Sequence, residues 1–138
     1  AEKKLVAAAR VAMATSYSPY SRFAVGAALM TRGGKIITGS NVENAAYGST
    51  ICAERAALVR ANAMGCRSFT KIAVVARTLA APCGACRQML SEAARRGGRD
   101  IVVILASARG RTVILTTVDE LLPMPFKQRV LGTVRGLR

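Results

Sequence analysis

The sequence predicts an α/β fold, a three-layer α-β-α sandwich built on a mixed five-stranded sheet. Three observations carry this. Helical and extended patterns alternate along the chain, Gly33-Gly34 lies between two short extended segments, and Ile101 to Leu105 is an uninterrupted apolar run. Such a run marks a strand covered on both faces, and helices alternating with strands place their apolar stripes against one sheet.

Residues 2–14 are rich in helix formers, and Leu5, Ala8, Ala9 and Ala12 make one stripe that ends before the turn-prone Thr15 to Pro19. Ala24–Thr31 and Lys35–Gly39 are the candidate antiparallel pair, with Gly33-Gly34 supplying the positive φ of a tight turn. Cys52–Met64 is an alanine-rich helix closed by Gly65. Lys71–Ala76, with Ile72, Val74 and Val75, reads as a strand. A third helix runs from about Gly84 to Arg95 and stops at Gly97-Gly98. Ile101–Leu105 and Thr112–Thr116 complete the strands, and Thr117 with Glu120 has the spacing of a capping box for a short last helix.

At 138 residues the chain is about one domain long, expected as a folded unit over residues 1–126 and a basic tail over 127–138. No stretch approaches the roughly 18 apolar residues that cross a bilayer, because Arg10, Arg22 and Arg32 interrupt the runs. Lys3 and Lys4 followed by Leu5 to Ala9 do not extend to a signal peptide, and residues 1–14 read as helix. The expectation is a cytoplasmic protein without a membrane partner.

Lys and Arg number 21 against 7 Asp and Glu, a formal charge of +14. The cations run from Lys3 to Arg138 and are dense only at Arg95, Arg96 and Arg99 and in the tail. This spread reads as a solvated surface more than as a nucleic-acid face.

Two clusters carry chemistry. Cys52-Ala53-Glu54 opens the second helix, and Pro82-Cys83-Gly84-Ala85-Cys86 opens the third. Cysteines three apart in a first helical turn put both sulfurs on one side, where unpaired backbone N–H groups favour thiolate. Alone, the CxxC suits a redox pair or half of a structural zinc site. If the two helix starts adjoin, Cys52, Cys83 and Cys86 converge on one ion and leave a fourth tetrahedral position open, the arrangement of catalytic zinc. Cys66 lies about 20 Å along the helix from Cys52 and reads as a packed thiol. The sequence has no histidine, which excludes imidazole ligands and histidine bases.

Three thiolates leave a zinc site with net negative charge, and Arg55 and Arg87 each follow a motif and are placed to donate to a sulfur. Glu54, two residues past Cys52, would point away from it on a regular helix. The conflict eases if Cys52 sits at the helix cap. A carboxylate there would shuttle protons to and from water. Asn41 and Glu43 share one face at strand spacing, which suits recognition of a diol and equally suits a solvated strand end.

Cys-x-Glu followed by Pro-Cys-x-x-Cys is the signature of zinc deaminases. With Tyr20–Ala27, Gly39–Tyr47, Pro82–Gln88 and Glu120–Pro123, the chain resembles the small homotetrameric cytidine deaminases over roughly residues 5–126. The resemblance implies zinc-dependent hydrolysis of cytidine and deoxycytidine to uridine and deoxyuridine with loss of ammonia, in pyrimidine salvage. It implies one Zn²⁺ per subunit on Cys52, Cys83 and Cys86, with Glu54 moving protons. It places Asn41 and Glu43 on the ribose hydroxyls, Phe23 and the Ala53 backbone on the nucleoside, and Phe126 in a neighbouring subunit's site.

The loop Arg77–Ala81 is shorter and more basic than its usual counterpart. A polynucleotide deaminase is the reading that +14 suggests, but no His-x-Glu is present and aromatics for base stacking are scarce. A blasticidin-type deaminase shares the metal motif but matches poorly around Asn41-x-Glu43. A structural zinc module lacks a fourth ligand.

Overall fold

The computed structural model describes residues 1–127. Helix α1 (Glu2–Ala12) runs into a 3₁₀ turn, Met13–Thr15. Strands β1 (Val25–Thr31) and β2 (Ile36–Ser40) follow, then α2 (Ala53–Ala63), β3 (Phe69–Ala76), α3 (Gly84–Gly97), β4 (Val102–Ser107), β5 (Val113–Thr117) and α4 (Val118–Leu121). The order is the one the sequence predicts, with boundaries moved by one to two residues.

The sheet has the order β2-β1-β3-β4-β5. Only the β3–β4 pair is parallel, joined through α3, while β1–β2, β1–β3 and β4–β5 are antiparallel. Alternate residues divide the core. Ala27, Leu29, Ile72, Val74, Val103 and Leu105 pack with Ala57, Leu58, Leu90 and Ala94 of α2 and α3. Ala28, Ala73, Val75, Ile104 and Ala106 pack with Leu5 and Ala9 of α1. Thus β4 is buried on both faces, as its apolar run requires.

The hairpin differs in detail from the expected two-glycine turn. Gly34 alone takes a positive φ, +91°, and Thr31 N bonds Lys35 O across a three-residue loop. The last helix is capped as expected at Thr117, whose hydroxyl accepts from Glu120 N at 3.2 Å. Glu120 does not reach back and instead accepts from the Thr116 hydroxyl. Of the basic tail, Lys127 is exposed, and 128–138 lie outside the described residues.

Candidate metal and nucleoside site

Helix starts make this site. Cys52 is the N-cap of α2 (φ −73°, ψ 157°) and Cys83 the N-cap of α3 (φ −68°, ψ 171°). Neither helix has a side-chain hydrogen bond at its cap, so the first N–H groups of both helices stay free at the end that carries the sulfurs. Gly39 sets the approach of α2, since a Cβ there would lie 2.4 Å from Ala57 N and 2.7 Å from Ala53 O. Only glycine lets β2 run this close to the first turns of α2.

The three sulfurs lie within 4.8 Å of one another. Cys52 Sγ to Cys83 Sγ is 3.8 Å and Cys83 Sγ to Cys86 Sγ is 3.4 Å. Tetrahedral zinc with Zn–S bonds of about 2.3 Å separates its sulfurs by roughly 3.8 Å, so this donor set fits the ion with little adjustment. Cys66 is not in the cluster; its half-buried side chain packs against the main core.

The neighbouring thiols perturb one another's proton affinity. The Cys52 thiol is lowered to about 5, first by its hydrogen bond with the Cys86 thiol and then by Arg55 and Cys83. Cys86, fully buried, is pushed up by the same partnership and by burial. Arg55 Nη2 lies 3.5 Å from Cys52 Sγ and also donates to Thr50 O at 3.1 Å. Arg55 Nε is buried and has no partner among the described residues. Arg87 corrects the sequence expectation, because it bonds Pro82 O (2.7 Å) and Leu121 O (3.0 Å) and no sulfur. It braces the loop entering α3 against the end of α4.

Glu54 follows from Cys52 being outside the helix. As the second residue of α2 it turns back over the helix start, 5% exposed, and its Oε2 lies 3.6 Å from Cys86 Sγ. Burial raises its pKa, with the negative charge on Cys52 adding to the effect. A carboxyl that readily holds a proton is suited to general acid–base work.

A pocket of about 260 Å³ opens over these groups, and Phe23, Asn41, Glu43, Cys52, Ala53 and Glu54 all line it. Ala53 is the first residue of α2, so its N–H has no acceptor within the helix. Asn41 and Glu43 lie past the end of β2, on an extended segment held by bridges from Val42 to Tyr17 and Ile51. Asn41 is 7% exposed; its Oδ1 accepts from Val25 N at 2.9 Å and from the Ser16 hydroxyl, and Nδ2 donates to Phe23 O at 2.8 Å. One Nδ2 hydrogen is left for a ligand. Glu43 accepts from Tyr20 N (3.0 Å), Ser21 N (3.1 Å) and the Ser21 hydroxyl, contacts that hold its carboxyl below the usual range.

Phe126 is absent from this pocket. The residue is 74% exposed, while its backbone is clasped by the Gln88 amide, which donates to Phe126 O at 3.0 Å and accepts from Phe126 N at 3.3 Å. The sequence assigns no role to Gln88 or Ser21, since no spacing rule marks such clasps. The short loop after β3 contributes Ala80 and Ala81 to the pocket wall, and Arg77 lies 6.0 Å over the Phe23 ring.

The family model described as "Cytidine and deoxycytidylate deaminase zinc-binding region" matches residues 1–104. A cytidine deaminase of Sporosarcina psychrophila is 44% identical over 132 residues, covering 94% of each chain. Another, of Halalkalibacterium halodurans, is 49% identical over 113 residues, 80% of this chain and 83% of the other. The crystal structure of cytidine deaminase from Burkholderia pseudomallei superposes with a TM-score of 0.84 at 45% identity, over 91% of this chain and 99% of that one.

Proposed function

This chain belongs to the cytidine and deoxycytidylate deaminase zinc-binding family, and we propose that it hydrolyses cytidine and deoxycytidine to uridine and deoxyuridine, releasing ammonia. The observation that carries this is the meeting of Cys52, Cys83 and Glu54 at one pocket with Asn41, Glu43 and Phe23, the buried Cys86 completing the sulfur cluster. Zinc on the three sulfurs supplies a Lewis acid that makes water acidic enough to react near neutral pH.

Glu54 takes a proton from the attacking water and delivers it to the ring nitrogen beside the reacting carbon. It then carries a second proton to the departing amine, so that water is consumed and ammonia leaves. The Ala53 N–H and the Phe23 ring hold the pyrimidine, and Glu43 with the free Asn41 hydrogen takes the ribose hydroxyls. Arg55 donates to the Cys52 sulfur and offsets the negative charge of three thiolates, which keeps the ion acidic.

The further parts of this reading are a place in pyrimidine salvage, a reducing compartment such as the cytoplasm to keep three metal-binding thiols reduced, and a homotetramer. Among the described residues no helix is long and apolar enough to cross a membrane. Val11, Tyr47, Met124 and Phe126 are more than 70% exposed. Gln88 fixes the Phe126 backbone and leaves its ring outward, an arrangement suited to reaching a neighbouring subunit's pocket.

The test is a substrate panel. Purified protein with cytidine, deoxycytidine, cytosine, blasticidin S and single-stranded DNA is followed by ammonia release, with sedimentation equilibrium for the oligomer. Release from both nucleosides supports the reading. Release from DNA or blasticidin S alone overturns it.

A further inference from the structure

The two faces of the sheet are unequally covered. Among the described residues, α2, α3 and α4 pack on one face, and α1 lies alone on the other, over β1 and β3. The wheel of α1 sends Leu5, Ala9 and Ala12 into the core and turns Lys3, Val6 and Arg10 toward β4 and β5. There a groove of about 720 Å³ runs between α1 and β5. Ile104 lines its base and is 1% exposed, while Val113 and Leu115, on the same side of the sheet by their pairing with Ala106 and Ile104, are 48% and 59% exposed.

The rim is cationic. Lys3, Arg10 and Arg111 line the groove and make no ion pair among the described residues; the one carboxylate there, Glu2, is taken by Lys71 at 3.2 Å. We propose that this groove docks an amphipathic helix of a partner protein, its apolar stripe on Val6, Val113 and Leu115 and its acidic flanks toward Lys3, Arg10 and Arg111. A helix laid beside α1 would complete the layer and cover the exposed edge of β5.

Charge selects the occupant. A second copy pairing through this groove would set the same cations against each other, and residues 128–138 of this chain hold Arg129, Arg135 and Arg138 and no acid. No aromatic side chain lines the groove for base stacking, so an aliphatic floor with a basic rim favours an acidic helix over a nucleic acid. The cysteines sit on the helices of the opposite face, which separates this surface from the deaminase chemistry.

The probe is a fluorescent synthetic helix of roughly four turns, with leucine at i, i+3, i+4 and i+7 and glutamate on both flanks. Titrated with the intact zinc-loaded protein, it is expected to bind saturably. The double variant Arg10→Glu with Arg111→Glu, and separately Leu115→Ala, should each weaken binding about tenfold with zinc content and deamination unchanged. The proposal is overturned by absence of saturable binding, or by equal binding of a peptide of the same composition with its leucines scattered. It is also overturned if Leu115→Ala changes the oligomeric state and leaves peptide binding alone, which places the face between copies. Tighter capture of single-stranded RNA or anionic vesicles, lost in the same variants, assigns the groove to a polyanion instead.

Discussion

Cys52 and Cys83 hold the same position in two different helices, the N-cap, and their sulfurs lie 3.8 Å apart. Each residue has extended backbone angles, so neither side chain follows the helical wheel. This relationship explains how Cys86, one turn into α3, and Glu54, two residues into α2, reach the same point.

Each of Cys52→Ala, Cys83→Ala and Cys86→Ala is expected to lose zinc and activity together, because three ligands leave no spare. Cys66→Ala should keep both, since its side chain packs in the core outside the cluster. Zinc analysis of the four variants checks this, and loss of metal in Cys66→Ala would make the site a four-cysteine structural one.

Glu54 carries a pH signature in the metal-free protein. Burial raises its folded-state pKa above the unfolded value, so the folded state holds the proton over the interval between the two. Its contribution is favourable at low pH and is lost as pH rises through the ordinary glutamate range toward the folded pKa. Metal-free Glu54→Gln should therefore melt above metal-free wild type at neutral pH, with the gap closing as pH falls to the ordinary glutamate range. A gap that widens toward low pH would contradict the burial assigned to this carboxyl.

Glu43 has two duties in this account, the ribose and the loop at Tyr20–Ser21. Glu43→Ala should lower kcat/KM for cytidine roughly ten- to a hundredfold while zinc content stays unchanged. Ser21→Ala removes only one contact to the carboxylate and should cost less than tenfold. Residual activity on free cytosine, which has no sugar, should be nearly indifferent to Glu43→Ala. Equal losses on cytidine and cytosine would assign Glu43 to the loop alone.

Gly39→Ala places a methyl against the backbone of Ala53 and Ala57. The forced shift of α2 should cost about 1–3 kcal/mol of stability and weaken zinc binding through Cys52. Gly33→Ala, whose Cβ would meet only Thr31 Oγ1 at 3.9 Å, is the control and should change neither. Calorimetry and competitive zinc titration report both quantities.

The element order was legible because it rests on local signals, such as the unbroken apolar run of β4 and Gly98 at the end of α3, whereas the spacing of Cys83 and Cys86 marked a pair of sulfurs and joined Cys52 to them only on condition that two helix starts adjoin. Glu54 was legible only conditionally, since its direction depends on whether Cys52 lies inside or outside α2, a single residue's backbone angles. The partners of Arg87 were not legible. They are carbonyls, Pro82 O and Leu121 O, and a sequence shows no acceptor that every residue has. The same holds for Gln88 with Phe126, and for Asn41, whose oxygen is already engaged by Val25 and Ser16.

The most direct test of the central claim is made on one preparation of Glu54→Gln. Zinc content and ammonia release from cytidine are measured side by side with wild type. The account predicts one zinc per subunit in both proteins and turnover lower by about 10² or more in the variant, the scale of losing general acid–base catalysis. Full zinc with near-normal turnover would contradict the assignment of Glu54 as the group that moves the protons.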